Sequence, residues 1–126
     1  MCGISGALRI GKRDGERIVA LMNARQARRG PDDEGLTRYS LNHGGEVVLG
    51  HRRLSFLDLT SAGHQPMERV VSGGLLSITF NGEIYNFREL RRELEAYGER
   101  FSTESDTEVM LALFAREGAA SFTKLR

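Results

Sequence analysis

The chain has 126 residues, enough for one domain with one modest core, and its 40% hydrophobic and 28% charged content is that of an ordinary globular protein. Lys and Arg number 18 against 17 acids, so the net charge of +1 gives no bulk attraction to nucleic acid or to an anionic membrane. No apolar run approaches the roughly 20 residues of a membrane span, and the opening MCGISGALRIGK has no charged start before an apolar stretch, so it does not read as a secretory signal.

Residues 2–9, CGISGALR, predict a short strand at the start of the chain. Gly3 and Gly6 would weaken an ordinary strand, which implies a close backbone approach there. A helix is expected over Glu16–Arg28, with Asp14 as its cap and Ile18, Leu21, Met22 and the aliphatic stem of Arg25 on its apolar face. Gly30-Pro31 ends it, because a proline pushes the residue before it out of helical geometry.

The middle of the chain is β-rich. Leu36–Leu41 and Glu46–Gly50 flank Asn42-His43-Gly44-Gly45, a hairpin turn signal. Ser72-Gly73-Gly74 is a second turn, opening a strand over Leu75–Phe80 in which Leu76, Ile78 and Phe80 alternate with Ser77 and Thr79. Two helices follow. Asn86 with Glu89 forms one capping-box pattern, with Phe87, Leu90, Leu94 and Tyr97 on an apolar face and a stop at Gly98. Ser105 with Glu108 forms another, followed by Val109, Met110, Leu113 and Phe114 and a stop at Gly118. No internal repeat or low-complexity stretch interrupts this α+β order. The locally dense arginines, at Arg25, Arg28 and Arg29 and again at Arg91 and Arg92, read as solvated helix faces.

Cys2 is the most informative single position. One cysteine excludes an intramolecular disulfide, and a reducing, cytoplasmic compartment is the expectation. A lone cysteine most often acts as a small buried hydrophobe. Removal of Met1, however, would leave a thiol and a free α-amine on one residue. An α-amine titrates at about 7.7–8.0, so a useful fraction is neutral near pH 7 and can accept a proton. A nucleophile activated by its own N-terminal amine is an established chemical arrangement.

Six pieces occur in order: MCGI at the start, RGPD at Arg29–Asp32, HRRLS at His51–Ser55, QPM at Gln65–Met67, NGEIYN at Asn81–Asn86 and SDTEV at Ser105–Val109. Together they resemble the N-terminal glutaminase domain of the class II glutamine amidotransferases, specifically the glutamine-hydrolysing asparagine synthetase family. The resemblance covers nearly the whole chain. It implies an α+β fold of the N-terminal nucleophile hydrolase kind, an αββα sandwich of antiparallel sheets, which over residues 1–126 would be incomplete at its C-terminal end.

The same resemblance implies roles. Cys2 would attack the side-chain carboxamide of L-glutamine and form a thioester. Asn81 through its side-chain amide and Gly82 through its backbone N–H would donate to the oxyanion. Arg53 would take the substrate carboxylate with its guanidinium fork, and Asp106, with Glu83, would hold the substrate ammonium. The backbone of Leu54, Ser55 and Phe56 would line the pocket, and RGPD would shape a loop over the site. Arg52, on the opposite face of a strand from Arg53, is left as a surface residue. Read without the pattern, Asn81-Gly82 is an ordinary turn and Asp106 a helix-start acid.

His43, His51 and His64 lack metal-ligand spacing, so no metal or cofactor is expected in this portion, and His51 reads as a packing or hydrogen-bonding residue. ATP and Mg²⁺ would belong to a synthetase domain, absent here, that the family carries downstream as the partner receiving ammonia; a homodimer is a further possibility. Ending at Arg126, the chain is expected to be marginally stable or to associate. Two other readings stay open: the same glutaminase feeding a different carboxylate acceptor, and a non-catalytic fragment.

Overall fold

In the computed structural model the described residues are 1–10, 14–42, 44–55 and 59–126. They form an α+β chain with antiparallel sheets and fall into two compact units. The first contains Met1–Ser55, His64–Pro66 and Thr79–Asn81; the second contains Phe56–Gly63, Met67–Ile78 and Gly82–Arg126.

The first unit is built on three strands and a helix: β1 (Gly3–Ile10), α1 (Gly15–Arg25), β2 (Asp33–Ser40) and β3 (Gly45–Arg53). The sheet runs β1-β3-β2 with both pairings antiparallel. β3 is therefore central, and the register sets Gly3 opposite Arg52 and Asp33 opposite Arg53. The expected hairpin is present, closed by Leu41 N–H to the Gly45 carbonyl at 2.8 Å. Both of its strands run further toward the Arg53 end than apolar alternation shows, because residues 33–35 and 51–53 are polar or glycine yet still paired. His43, in that turn, lies outside the described residues.

Asp14 caps α1 as expected, accepting from the Arg17 N–H at 3.1 Å. Two features of α1 differ from the sequence reading. It ends at Arg25, and residues 26–29 form a turn in which Arg29 N–H donates to the Gln26 carbonyl at 2.8 Å. Its buried face is Gly15, Val19 and Asn23, while Leu21 and Met22 are exposed and Ile18 is half-buried. Polar contacts choose this face. Asn23 is fully buried, accepts from the Ser5 hydroxyl at 2.7 Å and donates to the Gly35 carbonyl at 2.9 Å. Gly50 of β3 completes the fit, since a Cβ there would meet Asn23 Oδ1 and Val19 Cγ1 at 2.6 Å. The close approach expected at β1 is found at Gly3, where a Cβ would run into the Gln26 side chain, and Gly6 has ordinary room.

The second unit holds a two-stranded hairpin, β4 (Met67–Val71) and β5 (Gly74–Ile78), and two helices, α2 (Phe87–Ala96) and α3 (Asp106–Glu117). Short 3₁₀ stretches cover Ser61–Gly63 and Gly118–Lys124. The 72–74 turn is where expected, but β4 before it carried no clear alternation in sequence, and β5 stops two residues short of Phe80. The core is Ile84, Phe87, Leu90, Leu94, Val109, Leu111, Ala112 and Leu113; burying each of the larger side chains contributes on the order of 1.5–3 kcal/mol. Phe87, Leu90 and Leu94 form the predicted α2 face, whereas Tyr97 is exposed and lies under the Arg116 guanidinium, 4.0 Å from its ring centroid.

Both capping boxes need correction. Asn86 makes no side-chain cap; its amide donates to the Lys124 carbonyl at 2.8 Å and accepts from the Arg126 N–H at 2.9 Å, while Glu89 pairs with Arg126. A buried tertiary partner has replaced the local one. Ser105 does cap α3, accepting from Thr107 N–H at 3.2 Å, but Glu108 reaches past it to the Ser102 and Thr103 N–H groups at 2.9 and 2.8 Å. Arg91, read as a solvated charge, is half-buried: it stacks on Phe101, donates to the Thr103 carbonyl and pairs with Glu95 and Glu104. Gly98 and Gly118, at φ of 92° and 60°, end α2 and α3 as predicted.

Candidate functional site

The first unit gathers Cys2, Arg53, Leu54, Ser55 and Asn81. Cys2 stands immediately before β1, and because Gly3 pairs with Arg52, it comes level with the end of β3. Its half-buried sulfur accepts a hydrogen bond from the Leu54 N–H at 3.3 Å and lies 3.5 Å from the Leu54 carbonyl, to which the thiol can donate. Backbone groups of the residue after β3 therefore fix the sulfur.

The RGPD segment does more than cover this end of the sheet. Arg29 Nε donates to the Cys2 carbonyl at 3.3 Å, Asp32 N–H donates to the Arg53 carbonyl at 3.0 Å, and the Asp32 carboxylate accepts from the Ser55 N–H at 2.8 Å. Gly30 lies directly on β3: a Cβ there would collide with the Arg52 carbonyl group and stand 2.6 Å from Arg53 N. Arg53 and Ser55 are thus both held by this loop, while Leu54 between them bonds to the Cys2 sulfur. Arg53 itself is buried. Arg52 is not the surface residue expected. Its Nε donates to the Gly30 carbonyl at 3.0 Å and its guanidinium pairs with Glu34 at 2.6 Å, so it anchors the same loop from the other face of the strand.

Asn81 is exposed and follows a residue held on both sides. Phe80 N–H donates to Gln65 Oε1 at 2.7 Å, and His51 Nε2 lies 3.1 Å from the Phe80 carbonyl. A carbonyl only accepts, so the proton of His51 sits on Nε2. Burial pushes the pKa of His51 below its usual 6.5, opposed by this hydrogen bond and by Asp33 and aided by Arg53 and His64. The hydrogen-bonding role read for His51 matches this geometry. In sequence Gln65 stands out only as part of the QPM motif, and its bond to a distant backbone N–H leaves no local signature.

In the second unit, Asp106 opens α3 and is buried, and its Oδ2 accepts from the Ile84 N–H at 3.0 Å. It therefore secures the segment that carries Gly82 and Glu83, both exposed. The helix-start reading and the site reading of Asp106 are compatible, since a capped helix end is a rigid support for a carboxylate. Phe56 lies outside the described residues. Among the described residues, no group of three or more His, Cys, Asp or Glu could hold a metal ion, and no helix is long and apolar enough to cross a membrane.

The first unit fixes Cys2 against the end of an antiparallel sheet, and comparison with known proteins supplies the class to which the chain belongs. The chain matches the model of the glutamine amidotransferase domain family over residues 1–126, and it belongs to that family. Relatives include glutamine-hydrolyzing asparagine synthetase 1 of Bacillus subtilis, 40% identical over 130 residues covering all of this chain and 19% of the relative. Asparagine synthetase 3 of the same organism is 38% identical, covering 88% of this chain and 17% of the relative. The Sandersonia aurantiaca glutamine-hydrolyzing enzyme is 37% identical over 94% of this chain and 21% of its own length. The chain thus spans about a fifth of these curated relatives.

Proposed function

We propose that this domain hydrolyses L-glutamine to glutamate and ammonia, with Cys2 as nucleophile after removal of Met1. The α-amine of Cys2 takes the thiol proton while sulfur attacks the carboxamide carbon, forming the S–C bond. Collapse of the tetrahedral intermediate breaks the C–N bond, and the amine returns its proton to the departing ammonia. Water, deprotonated by the same amine, then attacks the thioester and releases glutamate and the thiol. Charge on the former carboxamide oxygen is met by Asn81 and the Gly82 N–H, donors worth about 10²–10³ in rate each when placed beforehand. Arg53 takes the substrate carboxylate in a bidentate pair, and Asp106, with Glu83, takes its ammonium. Leu54 and Ser55, with Phe56, supply backbone around the substrate.

Family membership supports this reading, and the observation that carries it is the sulfur of Cys2 held by the Leu54 N–H at the end of β3. The matching fold is the N-terminal nucleophile hydrolase sandwich. In a protein of the relatives' length the ammonia would pass to a synthetase domain that activates a carboxylate, aspartate by the relatives' names, using ATP and Mg²⁺ bound by that domain; a cytoplasmic setting suits the free thiol. The test is to incubate Met-free protein with an electrophilic glutamine analogue and read masses. A stoichiometric adduct on Cys2, blocked by L-glutamine, is expected. A folded, processed protein that gains no mass would overturn the assignment.

A further inference from the structure

Asn81 is exposed and sits in no strand, yet the proposed role needs its amide held still before substrate arrives. The residue before it is gripped from both sides. Gln65, 6% exposed, accepts from Phe80 N–H at 2.7 Å, and His51, 1% exposed, donates from Nε2 to the Phe80 carbonyl at 3.1 Å. One residue earlier, the Thr79 hydroxyl donates to the Gly50 carbonyl at 3.2 Å. These bonds fix residues 79 and 80 to β3 after the β4–β5 pairing has ended at Ile78. Gln65 is seated in turn: its backbone lies on Gly35, where a Cβ would collide with the Gln65 carbonyl, and Gly35 pairs with His51 in the sheet. His51, Gly35 and Gln65 thus form one stack beneath Phe80.

We infer that His51 and Gln65 are positioning residues for glutamine hydrolysis, clamping both backbone groups of Phe80 so that the Asn81 amide is held where the oxyanion develops. The inference rests on the oxyanion role of Asn81 given above. Neither side chain needs to touch substrate. Their buried polar atoms meet the N–H and C=O of one residue, groups that a strand neighbour would otherwise satisfy, and a side-chain clamp can set the direction of the following residue where a regular ladder would continue the strand.

The test is a double-mutant cycle on Met-free protein with L-glutamine. Gln65→Met keeps the volume and removes the acceptor; it is expected to lower kcat about tenfold with KM within about twofold, less than a direct oxyanion donor is worth. Combined with Asn81→Ala, the same change should alter kcat by less than about twofold, because the residue it positions is gone. His51→Gln, whose amide nitrogen falls near the position of Nε2, should retain most of the rate, and His51→Met should lose it as Gln65→Met does. Amide exchange at Phe80 should be slow in the wild type and fast in Gln65→Met. Equal losses from Gln65→Met with and without Asn81 would overturn the clamp, as would rapid exchange at Phe80 in the wild type. If Gln65→Met unfolds the protein, the His51→Gln and His51→Met pair decides by the same criterion. Full activity in Asn81→Ala alone would overturn the oxyanion reading, and slow Phe80 exchange would still show the grip intact.

Discussion

The two ends of the β2–β3 hairpin are built in opposite ways. At the turn end, the bonds that close the loop among the described residues are backbone ones: Leu41 and Gly44 bond across it, Gly44 takes a φ of 80°, and a Cβ on Gly44 would meet nothing within 4 Å. At the other end, Arg29, Asp32, Arg52, His51 and Gln65 send side chains to backbone groups of Cys2, Ser55, Gly30 and Phe80, and Gly30 leaves no room for a methyl. One end needs only to turn the chain. The other fixes Cys2 and the residue before Asn81, which is where the proposed reaction requires preorganisation.

The contrast is broken most severely at Gly30. Gly30→Ala pushes a methyl into the Arg52–Arg53 backbone, which cannot rotate away, and should destabilise the domain by about 1–3 kcal/mol in denaturant titration while slowing alkylation of Cys2. A variant with wild-type stability and reactivity would show that the loop is not tightly seated. The next effect is pH-dependent. Burial depresses the pKa of His51 below 6.5 with Asp33, Arg53 and His64 around it, so the unfolded chain binds the proton more readily. The stability from the neutral ring is complete above about pH 6.5 and lost as pH falls toward the depressed value. His51→Gln should flatten the pH dependence of the melting temperature below about pH 6.5, whereas an unchanged slope would remove His51 as its source. The smallest effect belongs to the turn end, where Gly44→Asn should stay within about 0.5 kcal/mol of wild type and leave Cys2 reactivity unchanged.

Legibility in the sequence followed how local each cause is. The first strand, the 41–45 turn, the Asp14 and Ser105 caps and the α2 core face come from neighbouring residues, and all appear where periodicity and turn chemistry put them. The misreadings share one cause, tertiary polar contact. α1 carries more apolar surface on Ile18, Leu21 and Met22 than on its buried side, but Asn23 and Gly50 decide which side faces the sheet. Asn86 and Glu89 spell a capping box, yet both serve the segment around Arg126. At the candidate site, Cys2, Arg53, Asn81 and Asp106 were singled out through the motifs that resemble the family. Gln65, Arg29 and Arg52 were not, because each acts on a backbone atom far along the chain, and such a partner leaves no trace in spacing.

The central claim makes one residue both sulfur nucleophile and proton acceptor, and blocking the amine alone separates those roles. Ammonia release from L-glutamine should be measured for two preparations of equal melting temperature, one with Met1 removed and one with it retained. Turnover confined to the Met-free protein is the predicted result. Equal turnover by the protein that still carries Met1 would contradict it, since there the Cys2 nitrogen is an amide and has no basic lone pair.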